Sequence, residues 1–162
     1  IKKISSTPDL VKILNKSKKK DFKKKTNIST QTFQAIRIFV NKEFTELING
    51  LITATQAIKA GGKIIVISFH SIEDKIVKFF FSNYSKNKPR SSRYYPDFND
   101  VKPLFENYKN KIIRPNEREL QINNQSRSAK LRFATRSKDN FVYPKEFVKK
   151  FQHYIDLEKR NA

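Results

Sequence analysis

The stretch Gly61-Gly62-Lys63-Ile64-Ile65-Val66-Ile67-Ser68-Phe69-His70-Ser71-Ile72-Glu73-Asp74 constrains this chain more than any other. Its four consecutive isoleucine and valine residues, with no polar residue between them, predict a strand buried on both faces. That is the pattern of a central parallel strand. Polar residues follow at once, and Ser71 with Asp74 has the S-x-x-D/E spacing of a capping box that opens a helix. Ile72, Ile76, Val77, Phe80 and Tyr84 then recur at helical spacing. Phe69, His70 and Ser71 are therefore expected at the carboxyl end of a buried strand, where open α/β sheets bind their ligands.

The segment before this strand carries the clearest helical pattern. Over residues 30–60, Phe33, Ile36, Val40, Phe44, Leu47, Leu51, Ala54 and Ile58 recur at steps of three and four and share one face. Ser29 or Thr30 can cap its start, and Gly61 supplies a left-handed residue at its end. Gln34 and Arg37 are the polar residues that do not suit a core. A helix, a Gly-Gly turn, a buried strand and a capped helix together make an α/β unit.

The flanks are less regular. Residues 1–28 hold a short amphipathic piece with Pro8 near its start and Leu10, Val11 and Leu14 as its stripe. The lysine run at 16, 18–20 and 23–25 fits a solvated connector and an arm lying on RNA phosphates equally well. Residues 85–108 read as loop, with Arg90, Arg93, Tyr94 and Tyr95 mixing cations and aromatics as in surfaces that stack on unpaired bases. Residues 110–114 read as a short strand, and 116–120 as one helical turn. Residues 128–135 alternate as a half-buried strand whose outward face carries Lys130 and Arg132. Phe147, Val148, Phe151, Tyr154 and Ile155 lie on one face of a terminal helix.

Composition removes several function classes. Glycine occurs only at 50, 61 and 62, so there is no G-x-G or P-loop cradle for a nucleotide phosphate. There is no cysteine and there are only two histidines, which disfavours a zinc site. Ser68 and Ser71 have no histidine–carboxylate pairing in view, so a hydrolase triad is not expected. Glu73 and Asp74 read as first-turn residues favoured by the helix dipole rather than as catalytic acids. No apolar run approaches the roughly 18–20 residues of a membrane span, and a cytoplasmic location is expected. A formal net charge of +20 points to a polyanionic partner, the competing reading being a merely lysine-biased surface.

Three blocks taken together resemble one family. They are Thr32-Phe33-Gln34-Ala35-Ile36-Arg37-Ile38 with Val40-Asn41-Lys42-Glu43, the Gly61–Lys78 block, and Arg127-Ser128-Ala129-Lys130-Leu131-Arg132. Their order and spacing resemble the carboxyl-terminal half of the bacterial 16S rRNA (cytosine-N4)-methyltransferases of the RsmH/MraW type, over roughly residues 30–136. The resemblance implies an α/β fold, here a partial Rossmann-like methyltransferase sheet made of its carboxyl-terminal strands and helices, with a remnant of an inserted helical domain. In that frame residues 1–28 are the end of the inserted domain and a basic connector. Residues 29–140 are the carboxyl-terminal half of the methyltransferase domain, and 141–162 a terminal helix.

The same resemblance implies S-adenosylmethionine as methyl donor, and 16S rRNA in the small ribosomal subunit as partner. The acceptor is then a cytosine N4 amine at the decoding centre. It places His70 as the catalytic residue, which orients the cytosine or takes up its proton. Phe69, Ser71, Arg37, Arg127, Lys130 and Arg132 are placed as substrate-binding residues. The main cofactor site is expected amino-terminal to this chain, which contains no methionine to serve as an initiator, and no metal is implied. Asn123-Asn124-Gln125-Ser126 stands where the family has Asn-Pro-Arg-x, so a proline and a basic residue are lost. The chain is thus expected to be a truncated portion, inactive alone. The competing reading is a basic RNA-binding or ribosome-associated protein without chemistry.

Overall fold

The computed structural model describes residues 4–17, 28–88 and 102–159. Lys18–Lys25 and the Arg90–Tyr95 cluster lie outside them. The elements are α1 (Thr7–Ser17), α2 (Ile28–Asn41), α3 (Glu43–Ala57), β1 (Lys63–Ser68), α4 (Ser71–Asn83), α5 (Glu117–Ile122), β2 (Lys130–Thr135) and α6 (Lys145–Lys159). The expected strand, the capped helix after it and the terminal helix all form. The single helix expected over 30–60 does not. It breaks at Lys42, whose left-handed φ of 53° separates α2 from α3.

The physical reason for that break lies far away in sequence. Lys42 offers α3 no side-chain cap, yet the N–H groups of Phe44 and Thr45 are satisfied. They donate to the carboxylate of Glu158, near the end of α6, at 3.1 and 2.9 Å. Orphaned first-turn N–H groups and the positive end of a helix dipole both favour a carboxylate there.

β1 pairs with β2 in antiparallel register, Lys63 opposite Thr135 and Ser68 opposite Lys130, as a two-stranded sheet. The expectation of a central strand with parallel neighbours is therefore corrected among the described residues. Residues 110–114 give only an antiparallel bridge, Ile113 to Leu131, rather than a strand. Because β2 is antiparallel to both, residue 113 runs parallel to β1, and α4 lies within the connection between them. This retains the strand–helix–strand logic of an α/β unit.

The expectation of burial on both faces is corrected as well. Ile64, Ala134 and Arg132 face α4 and are buried. Ile65, Ile67 and Phe133 on the opposite face remain 61%, 56% and 41% exposed. Apolar residues on both sides of a strand show that both faces tolerate cover, and here α4 covers one.

The core joins α3, α4 and α6 around Ile48, Ile76, Phe80, Phe81, Phe105, Phe147 and Phe151. Phe80 packs on Phe147 at a ring separation of 4.5 Å, and Phe81 on Phe105 at 5.2 Å. Phe105 comes from the segment expected to be loop. That segment enters the core because its backbone is paired: Leu104 and Phe105 N–H donate to Tyr84 O, and Glu106 N–H to Thr135 O. Arg136, also buried, closes the structure by donating to four carbonyls, those of Thr55, Leu104, Ser137 and Asp139. No helix among the described residues is long and apolar enough to cross a membrane.

Candidate functional site

The carboxyl end of β1 and the amino end of α4 assemble two polar clusters side by side. The first is built on His70. Its backbone is extended (φ −133°, ψ 166°), which makes it the N-cap of α4. The Glu73 N–H donates to His70 Nδ1 at 3.4 Å, and the Glu73 carboxylate accepts from the Phe69 and His70 N–H groups at 2.8 and 3.2 Å. The capping box is thus His70 with Glu73, one residue earlier than the expected Ser71 with Asp74. The imidazole ring takes the place of the usual hydroxyl acceptor.

That contact fixes the ring chemically. A backbone N–H can only donate, so Nδ1 presents its lone pair and the proton of the neutral ring sits on Nε2. Nε2 is buried, lies 3.3 Å from Glu73 Oε1 and makes no aligned hydrogen bond. The ring packs edge-on against Phe44 at 5.7 Å. Burial pushes the Glu73 carboxyl up, but the bonds from His70 and the Phe69 N–H outweigh it and hold it below its ordinary value.

Glu43, the first residue of α3, brings a carboxylate oxygen into the same place. One ligand atom from each of Glu43, His70 and Glu73 lies within 4.8 Å of the others. The donor set suits a cation poorly, because Nε2 carries the ring proton. Both Glu43 oxygens are also gripped by Arg37, with Nε to Oε1 at 2.8 Å and Nη2 to Oε2 at 3.2 Å. Arg37 itself is largely exposed. The fold gathers Arg37 with His70 through Glu43, a residue to which the sequence reading gave no role. The Asn41-Lys42-Glu43 end of the helical block was the available signal.

The second cluster is built on Asp74. Arg132 donates to it through Nε at 2.7 Å and Nη2 at 3.2 Å, and Lys130 Nζ approaches at 3.5 Å. The remaining arm of Arg132 donates to Tyr108 Oη at 3.0 Å and Asn110 Oδ1 at 2.7 Å. Arg132 is 3% exposed, so its expected outward placement is corrected: β2 turns it toward α4. Burial raises the Asp74 carboxyl, but Arg132, and then Lys130, hold it below its ordinary value. Burial works against the Arg132 charge too, yet Asp74 and Tyr108 raise its proton affinity.

Around these clusters, Phe69 in the turn is 55% exposed, and Ser71 is exposed at the start of α4. Arg127 is exposed in the short 3-10 turn Asn124–Ser128 that leads into β2. Lys130 is half-buried beside Asp74. The strand end thus brings an exposed aromatic residue, carboxylates and cations beside an imidazole fixed by its cap.

The family model for the MraW methylase family matches residues 1–137. These residues hold both clusters, and the chain belongs to that family. Among curated relatives, the "Ribosomal RNA small subunit methyltransferase H" of Agrobacterium fabrum is 41% identical over 128 residues, 79% of this chain and 36% of the relative. Its namesake in Parvibaculum lavamentivorans is 44% identical over 109 residues, 67% and 32% of the two chains. That of Jannaschia sp. is 42% identical over 135 residues, 83% and 41%. The chain therefore spans less than half the length of these relatives.

Proposed function

We propose that this chain is the acceptor-side, carboxyl-terminal part of an S-adenosylmethionine-dependent methyltransferase that modifies a cytosine N4 of 16S rRNA at the decoding centre of the small ribosomal subunit. The observation that carries the reading is the family match over residues 1–137, which spans the strand, turn and helix that mount His70. Under it the small sheet is one end of a Rossmann-like methyltransferase sheet, α1 is the remnant of an inserted helical domain, and the protein works in the cytoplasm. With three glycines in all, this chain does not supply the glycine-rich donor loop, so the methyl donor is held chiefly by residues outside it.

An exocyclic amine is a weak nucleophile, because its lone pair is delocalised into the ring. Transfer therefore depends on positioning and on removing a proton. Phe69, an exposed aromatic residue, offers a ring for a base to stack on. Arg37, Arg127 and Lys130 are the cations for the RNA backbone, and Ser71 offers a hydroxyl at the same edge. Arg132 acts indirectly, holding Asp74 and β2 beneath Lys130. His70 Nε2 is buried against Glu73, so the ring meets the cytosine only once it turns out of its cap, where it orients the base or takes up its N4 proton. Glu73, 3.3 Å from Nε2, and Glu43, held by Arg37, flank the ring.

The test fuses this chain to the remaining portion of the Agrobacterium fabrum relative. N4-methylcytosine is then measured in small subunits supplied with labelled S-adenosylmethionine. His70→Ala removes both the cap and the imidazole, whereas His70→Asn keeps a good N-cap. Both variants should lower turnover by on the order of 10²-fold. Wild-type turnover by His70→Asn would reduce His70 to a helix cap. The isolated chain should bind S-adenosylmethionine feebly, and micromolar binding would overturn the placement of the donor site. The net charge of +20 favours one second reading, RNA binding without chemistry. That reading stands if RNA binds with steep salt dependence and no methylcytosine forms.

A further inference from the structure

We infer that Glu158 is a positioning residue for the His70 site, acting from a carboxyl-terminal helix that lies beyond the family match. The inference rests on the reading of that site as functional. The family model ends at residue 137, whereas α6 spans Lys145–Lys159 and buries Phe147, Phe151, Ile155 and Glu158. Glu158 is 2% exposed, and a carboxylate is placed there only where its oxygens are satisfied.

Its partners are the first turn of α3. Oε1 accepts from the Phe44 N–H at 3.1 Å, and Oε2 accepts from the Thr45 N–H at 2.9 Å and the Thr45 hydroxyl at 2.5 Å. This is the cap that Lys42 does not provide. The same turn of α3 carries the side chains that meet His70: Phe44 through its ring, and Glu43 through its carboxylate. A second contact from α6 reinforces the arrangement, because Tyr154 packs on the other neighbour of His70, Phe44, at 4.7 Å. The break between α2 and α3 also sets where Arg37 meets Glu43. One carboxylate 114 residues away therefore fixes the start of α3, and with it the Arg37–Glu43 pair and the wall against which the imidazole rests.

Glu158→Ala and Glu158→Gln in the 162-residue chain test this, read by amide exchange and by the imidazole resonances of His70. In Glu158→Ala, exchange at Phe44 and Thr45 should accelerate about tenfold, the scale of a lost helix cap. The His70 ring signals should shift as Phe44 moves, while those of Phe80 and Phe105 stay in place. Glutamine keeps one acceptor oxygen and should restore part of both effects. Unchanged His70 resonances in a folded Glu158→Ala protein would overturn the inference. So would a glutamine variant that behaves as alanine does. If the alanine variant does not fold, the glutamine variant decides, and loss of folding in both would make Glu158 a stability element only. None of these readouts requires methyl transfer, so they stand or fall separately from the fused-enzyme assay.

Discussion

Replacing Asp74 with asparagine isolates the buried pair beside the candidate site. In the wild type, Asp74 receives two hydrogen bonds from Arg132, at 2.7 and 3.2 Å, in a place where Arg132 is 3% exposed. Removing one partner of a buried pair costs ~3–5 kcal/mol, because the other charge is left uncompensated. Asparagine keeps one acceptor oxygen, and Arg132 keeps Tyr108 and Asn110, which places the expected loss near the lower end, ~3 kcal/mol. At about 2–4 °C per kcal/mol for a chain of this size, Tm should fall by about 6–12 °C.

The acid limb gives a second check on the same pair. The folded-state affinity of Asp74 for its proton lies below the ordinary carboxylate value, since Arg132 and Lys130 outweigh the effect of burial. The contribution of the pair is therefore complete above about pH 4 and is lost as pH falls through the lower folded-state value. Urea unfolding of both proteins should show the full gap at neutral pH and a gap that closes in acid. Glu73 is held low in both proteins and drops out of the difference. A gap below about 1 kcal/mol at neutral pH, or one that persists unchanged in strong acid, would refute the reasoning.

Two further substitutions probe the scaffold. Burial pushes the Tyr84 phenol from 10.0 up to about 12, so the folded state holds that proton more tightly. The resulting stability is present below about pH 10 and lost as pH climbs toward 12, and alkaline unfolding curves of Tyr84→Phe should lack that dependence. At Gly62 an added Cβ would lie 2.5 Å from Ile58 Cγ1 and 3.0 Å from Lys59 O, so Gly62→Ala should cost about 1–3 kcal/mol by overpacking. A thermal melt that leaves Tm unmoved would show that Ile58 yields without strain.

The sequence by itself determined the local units: the apolar run 64–67, the helix opening behind it, the alternation over 128–135 and the stripe of the terminal helix. It also located the His70 turn, because a run of β-branched residues stopping at polar ones marks the end of a strand wherever it folds. Tertiary structure decided what those units touch. Alternation in β2 fixed that Lys130 and Arg132 share a face with each other, but not which face is buried. A charged side chain reads as outward until a carboxylate such as Asp74 is brought opposite it. The cap at α4 shifted from Ser71 to His70 because an imidazole nitrogen accepts as a hydroxyl does, and propensity alone favours the serine. The break at Lys42 had no local sign at all. The apolar stripe of residues 33–58 continues unbroken through it, and what stabilises the interruption is a carboxylate from the far end of the chain. Periodicity records which residues avoid water, whereas capping and ion pairing depend on which distant groups arrive, and only the folded chain brings them together.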